Sequence, residues 1–278
     1  MDELSSEGFL TKICYFSGTG NTLWSAKTIA RIIENEKGGL AGGHADSRVE
    51  LIQIGIETEK DEIVLEADAV VLLFPSYAYG MPLAVHRFAE KAVFKTPYVA
   101  AFVTYGSTPA GTMAGLSRIL KKKRIKATYF GRIPSVENYI AIFGTQKEKK
   151  VQRRLAMQRE TTEAAARSVI ERKTNRICPF RPLSSFIWLL FSALALKIFY
   201  RYYKVSADCN GCGICKKICP VSAITMKENR PVFSSKCEHC QGCLNWCPKR
   251  AIGFGRMTIG TPGYSHPEVT LNEMARKN

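Results

Sequence analysis

The chain has 278 residues, 46% of them hydrophobic and 23% charged, which excludes a disordered or collagen-like protein and leaves room for two domains. Its formal charge of +16 is local: Arg118 to Lys204 holds 21 Lys/Arg and 5 Asp/Glu, and the rest nets zero. No zinc-finger or RNP signature accompanies that charge, so nucleic acid is not the expected partner. An acidic protein, an anionic lipid surface or plain solvation would each suit it.

The opening MDELSSEG lacks the basic, apolar and small-residue regions of a secretory signal, which points to a cytoplasmic setting where thiols stay reduced. Lys12–Phe16 is a short apolar and aromatic run with strand character. Ser17-Gly18-Thr19-Gly20-Asn21-Thr22 follows, and a helical pattern then puts Leu23, Ala26, Ile29, Ala30 and Ile33 on one face. Strand, hydroxyl-rich glycine loop and helix N-terminus together make an anion site. The Walker lysine is missing and the spacing is not G-x-G-x-x-G, which argues against a triphosphatase or a dinucleotide site. Hydroxyls can satisfy a phosphate monoester such as that of FMN without a cationic side chain.

Val49–Ile54, Ala69–Phe74, Tyr98–Thr104 and Ala127–Ile133 supply four more strands, separated by helical stretches that include 83–92 and 112–123. Five strands in this rhythm imply a doubly wound parallel α/β sheet with its ligand beyond the carboxyl ends of the strands. Two loops leave those ends, Pro75-Ser76-Tyr77-Ala78-Tyr79-Gly80-Met81-Pro82 and Thr104-Tyr105-Gly106-Ser107-Thr108-Pro109-Ala110-Gly111. Both mix aromatics with glycine, as stacking on a flat heteroaromatic ring requires; surface turns capping the core are the bland alternative. Together with the phosphate loop they point to FMN.

Glu137–Arg176 is charged, free of proline and reads as one long solvated helix. After Pro179 and Pro182, Leu183–Leu196 carries no charge but is shorter than the roughly 20 residues of a membrane span. The stretch 183–204 therefore reads as a helix packed between domains, with peripheral membrane contact as the competing reading. Cys14 reads as a small buried hydrophobe, Cys178 is left over, and His44, His86, His239 and His266 show no metal-binding spacing; His239 is expected to face solvent.

The remaining eight cysteines form two strings, Cys209, Cys212, Cys215, Cys219-Pro220 and Cys237, Cys240, Cys243, Cys247-Pro248. Each reads C-x2-C-x2-C-x3-C-P, the run that holds [4Fe–4S] clusters in bacterial two-cluster ferredoxins. Under its cross-ligation rule one cluster takes Cys209, Cys212, Cys215 and Cys247, and the other Cys237, Cys240, Cys243 and Cys219. Structural zinc would leave a third cysteine surplus in each string, and disulfides need an oxidising compartment.

SGTGNT, PSYAYGMP and TYGSTPAG resemble the three cofactor loops of flavodoxins. Nearly the whole chain, including the tail Tyr264-Ser265-His266-Pro267-Glu268-Val269-Thr270-Leu271, is similar to the flavodoxin–ferredoxin fusion electron carriers of anaerobic bacteria and archaea. The resemblance implies a flavodoxin-like FMN domain (1–145), a basic and hydrophobic helical connector (146–204), a small 2[4Fe-4S] ferredoxin-like α+β domain (205–255) and a tail (256–278). By position, Ser17, Thr19, Gly20, Asn21 and Thr22 would bind the FMN phosphate. Ser76, Tyr77, Tyr79 and Gly80 would meet the isoalloxazine, Gly80 as a peptide able to reorient toward N5, and Tyr105 and Gly106 would line its polar edge. The chain is basic where flavodoxins are typically acidic, so their partners do not transfer. The expected function is electron transfer between FMN and two [4Fe-4S] clusters, serving redox partner proteins, acidic ones being suited to the charge. The alternatives are a reductase acting on a small substrate and a non-catalytic sensor.

Overall fold

The computed structural model describes residues 9–36, 47–55, 59–60, 62–109, 111–175, 186, 188–190 and 196–275. In chain order it contains β1 (Phe9–Tyr15), α1 (Asn21–Asn35), β2 (Ser47–Gln53), β3 (Val64–Glu66), β4 (Ala69–Pro75), α2 (Leu83–Lys91), β5 (Val93–Lys95), β6 (Tyr98–Tyr105) and α3 (Thr112–Lys122). Next come β7 (Ala127–Pro134), α4 (Ile140–Phe143) and α5 (Glu148–Ile170). Five strands form one sheet in the order β2-β1-β4-β6-β7, every pair parallel. With the short β3–β5 ladder set aside, this is the 2-1-3-4-5 order of the flavodoxin-like fold, whose switch point lies between β1 and β4.

Both faces of the sheet are covered, which is why β4 is almost entirely apolar. Val71 and Leu73 join the core under α1 and α5, while Val70, Leu72 and Phe74 join the core under α2 and α3. The expected single helix over Glu137–Arg176 is broken. Residues 135–139 run as a loop, α4 is one turn, and Gly144 takes a positive φ of 61° before α5 begins. Nor is α5 solvated all round: Gln158, Thr162, Ala165, Ala166 and Val169 share a helical face and are buried. Gln158 Nε2 donates to Asn21 O at 2.9 Å and Thr162 Oγ1 lies 3.1 Å from Ser25 Oγ, so α5 closes the layer beside α1.

Beyond the connector, β8 (Tyr203–Val205) pairs antiparallel with β11 (Ile252–Phe254), and β9 (Ile224–Lys227) with β10 (Arg230–Phe233). One-turn helices at Ile214–Lys217 and Gly242–Asn245 carry the third cysteine of each string. The two strings share one backbone path. Positive φ recurs at the matching positions Gly211 and His239, Gly213 and Gln241, Ser222 and Arg250. Glycine removes the cost twice in the first string; His239 and Gln241 bear it, at about 1–2 kcal/mol each. This α+β unit is small, and its core runs continuously into that of the sheet domain through Cys215, Cys219, Ile224 and Leu244.

No helix among the described residues is long and apolar enough to cross a membrane. Cys178, His44 and most of 183–196 lie outside the described residues.

Candidate functional site

The loops after β1, β4 and β6 meet at the carboxyl edge of the sheet around a cavity of about 350 Å³. Its lining includes Ser17, Thr19, Asn21, Thr22, Ser76, Tyr77, Tyr79, Tyr105 and Gly106. Gly20 sits at the N-cap of α1 with φ 97°, and its N–H donates to Ser17 Oγ at 3.2 Å. The Asn21 side chain is engaged at both ends: Nδ2 donates to Val136 O at 3.1 Å, and Oδ1 accepts from the Tyr264 hydroxyl at 2.8 Å. Thr22 Oγ1 and Thr104 Oγ1 are 2.8 Å apart. These bonds fix the loop and leave backbone N–H groups at the head of α1 for an anion.

Sequence reasoning missed the fourth wall. Ser135–Tyr139, read as helix from Glu137 onward, instead bends over the cavity. Glu137 Oε2 accepts from Ser107 Oγ at 2.9 Å, and Glu137 Oε1 accepts the N–H groups of Asn138 and Tyr139 at 3.1 Å each. Asn138 Nδ2 donates to Thr19 Oγ1, tying this wall to the phosphate loop.

Tyr77 and Gly80 exchange both backbone hydrogen bonds, at 2.8 and 2.9 Å, around Ala78 and Tyr79 with φ of 45° and 68°. Such a two-residue turn normally uses Asn-Gly, so strain is held by two non-glycine residues at the cavity rim. Gly80 is required for a different reason: a Cβ there would lie 1.8 Å from Trp188 Cδ1. Trp188 is locked over the turn by Nε1 donating to Met81 O at 2.9 Å and by stacking on His86 at 5.8 Å. Nothing in the sequence signalled that contact, because the connector's path is set only on folding.

The cysteines line two further cavities. Cys209, Cys212, Cys215 and Cys247 surround one, and Cys219, Cys237, Cys240 and Cys243 the other; these groupings coincide with the cross-ligation rule. Among the described residues, no group of three or more His, Cys, Asp or Glu side chains closes on one metal-ion position. Burial pushes the Cys215 thiol up to about 11 and Cys237 to about 12, with Cys240 and Cys243 also raised by burial. Metal binding at these thiols would therefore release protons. Ala223 N donates to Cys219 Sγ at 3.2 Å and Ala251 N to Cys247 Sγ at 3.4 Å, again at matching positions.

The second set adjoins the cavity at the sheet edge. Cys240 lines both cavities, as does Glu238. A Cβ on Gly18 would lie 2.6 Å from Cys240 O, and one on Gly242 would lie 2.6 Å from Gly18 O. The phosphate loop and the second cysteine string thus touch backbone to backbone. His239, expected at the surface, is 2% exposed and also lines the cavity. The first set faces outward, with Cys212 exposed.

The tail straps the phosphate loop from behind. His266 N donates to Thr19 O at 2.9 Å, and its ring stacks on Trp24 at 4.9 Å. His266 Nδ1 accepts from Glu268 N at 3.2 Å, so the neutral imidazole is the form that fits. Burial pushes His266 down to about 4, Arg159 and Lys27 adding to the effect and Glu268 opposing it. As pH falls below the ordinary histidine value of about 6.5, the unfolded chain takes up this proton before the folded one does. Stability is therefore lost between about pH 6.5 and 4, by roughly 3 kcal/mol in all. Thermal melts across that range should give a visibly flatter pH slope for His266→Asn; an unchanged slope would contradict the assignment.

Residues 208–252 match the 4Fe-4S dicluster domain family. No curated protein matches the chain. Three similar solved structures are the Streptococcus pneumonia TIGR4 flavodoxin, the azoreductase of Bacillus anthracis and the NAD(P)H:quinone oxidoreductase of Methanothermobacter marburgensis. The flavodoxin is 15% identical with a TM-score of 0.34, aligning over 56% of this chain and 99% of its own. The azoreductase is 10% identical with a TM-score of 0.37, over 59% and 100%. The quinone oxidoreductase is 7% identical with a TM-score of 0.36, over 57% and 100%. The fold assignment rests on strand order, not on these superpositions.

Proposed function

We propose that the chain is an electron carrier that binds FMN and two [4Fe–4S] clusters and passes electrons between them in anaerobic redox metabolism. The observation that carries this reading is Cys240, shared between the flavin-type cavity and the inner cysteine set. FMN exchanges one or two electrons and a cubane one, so the pair can interconvert the two modes.

The chain's own residues fit these groups. The hydroxyls and N–H groups of 17–22 suit a phosphate, and Tyr77, Tyr79 and Tyr105 offer faces and edges to a flat ring. Gly80, expected as the peptide that reorients beside the ring, does not line this cavity and lies under Trp188 with both backbone groups bonded to Tyr77, so reorienting would break those bonds. Tyr77 stands between ring site and inner set, its hydroxyl raised by burial and by the nearby Cys240, Glu238 and Cys237. The outward set, with Cys212 exposed and Lys216, Lys217 and Lys249 at the surface, suits contact with an acidic redox partner. The cytoplasm, where thiols stay reduced, is the proposed location.

A substrate reductase is the second reading, favoured by the open cavity mouth, where Tyr79, Ile142 and Phe143 are 42%, 72% and 50% exposed. Anaerobic reconstitution followed by redox titration separates the two. The carrier should show a flavin spectrum over a broad cluster shoulder, about eight irons per chain, and electron exchange between them without an added small acceptor. A colourless or zinc-loaded protein would end the carrier reading, and sustained turnover of a small acceptor would favour the reductase.

A further inference from the structure

We propose that Glu238 is the positioning residue that fixes the inner cluster against the flavin loop, an inference resting on the electron-carrier reading above. Glu238 lies between Cys237 and Cys240, yet its side chain turns away from its own domain. Its Oε2 accepts the N–H of Leu83 at 2.8 Å, and Oε1 pairs with Arg87 Nη2 at 3.1 Å.

Leu83 opens α2, and Arg87 lies one turn further along it. That helix starts at Pro82, which supplies no side-chain cap, so its leading N–H groups need an acceptor from elsewhere. A carboxylate is the best acceptor for that end of a helix, since it also meets the positive end of the dipole. The contact is well enclosed: the Glu238 side chain is 3% exposed, although Arg87 is 51% exposed.

The capped end matters because of what precedes it. Pro82 closes the loop bearing Tyr77 and Gly80, while Glu238 is part of the loop bearing two inner thiols. One carboxylate therefore holds both loops. With both groups bound, one electron would cross this joint from reduced flavin to oxidised cluster, the flavin being oxidised and the cluster reduced, with no bond made or broken. Glu238 acts on the rate by holding the separation, on which electron tunnelling depends exponentially.

The test uses the full chain with both cofactor types loaded, in Glu238→Ala, Glu238→Gln and Leu83→Pro forms. Leu83→Pro deletes the N–H that Glu238 accepts, and Leu83→Ala, which keeps that N–H, controls for the half-buried leucine side chain lost with it. Proline is welcome at the first helical position, and Pro82 already has the ψ of 143° that a following proline demands. After photochemical reduction of the flavin with a deazaflavin donor, the bleaching rate of the cluster absorbance is followed. Flavin content, iron content and midpoint potentials are measured alongside.

Glu238→Ala should slow the transfer severalfold at full cofactor content. Glu238→Gln, which keeps an oxygen acceptor, should recover part of the rate. Leu83→Pro should slow transfer with potentials unchanged. Both Glu238 variants lose the same charge, so equal rates in the two would overturn the positioning role, as would a normal rate in Leu83→Pro. If Glu238→Ala fails to load its cluster, Leu83→Pro decides alone, because it leaves the thiol loop intact. An unmodified chain that takes up no flavin or no iron would instead defeat the electron-carrier reading.

Discussion

Cys219→Ala should abolish the inner cluster, most of whose ligands belong to the other cysteine string, and spare the outer one. Cys219 lines the cavity with Cys237, Cys240 and Cys243, whereas Cys209, Cys212 and Cys215 share theirs with Cys247. The reciprocal change, Cys247→Ala, should remove the outer cluster and leave the inner one. In each case iron should fall from about eight to about four per chain, and the surviving cluster should differ between the two variants. Electron paramagnetic resonance of the reduced proteins reads this directly. A Cys219→Ala protein that keeps the inner cluster and loses the outer one would show that each string ligates its own cube. The functional consequence is asymmetric. Loss of the inner cluster should cut the outer one off from the flavin and strongly lower its flavin-driven reduction, because the outer set does not line the cavity that Cys240 shares with the inner set. Loss of the outer cluster should leave flavin-to-cluster transfer intact and block only exchange with a partner protein.

Gly18→Val should weaken flavin binding and loosen the joint between the domains in one step. The new Cβ would lie 2.6 Å from Cys240 O and 2.8 Å from Cys240 Cβ. A backbone carbonyl cannot swing aside as a side-chain tip can, so phosphate loop and cysteine loop must separate. Overpacking of this kind costs typically about 1–3 kcal/mol, which is about a fivefold to 150-fold loss if it falls on flavin affinity. Flavin fluorescence titration measures it, with Gly213→Ala as the control. Gly213 has φ 71° but nothing within 4 Å of a Cβ, so that variant bears backbone strain without a clash. Flavin affinity in Gly213→Ala should stay normal. Equal losses in both variants would mean that general destabilisation, not contact between the loops, controls the flavin site.

What the sequence determined by itself is whatever is written in short-range patterns. The alternation of apolar runs with amphipathic stretches dictates strands and helices, because burial on two faces selects β4 and burial on one face selects α2. The hydroxyl and glycine loop at 17–22 and the paired cysteine strings are also local, since an anion cradle or a ligand loop is built from consecutive residues.

Only the tertiary structure decided which cysteine set adjoins the flavin-type cavity, that Ser135–Tyr139 is a wall of it, and that α5 belongs to the sheet domain. The same holds for Glu238 on Leu83, for Trp188 over Gly80 and for Tyr264 on Asn21. Each of these joins segments far apart in the chain, through a single side chain with no periodicity to betray it. Local propensity chooses the elements; packing between domains, where backbone meets backbone at Gly18 and Cys240, chooses how they face one another.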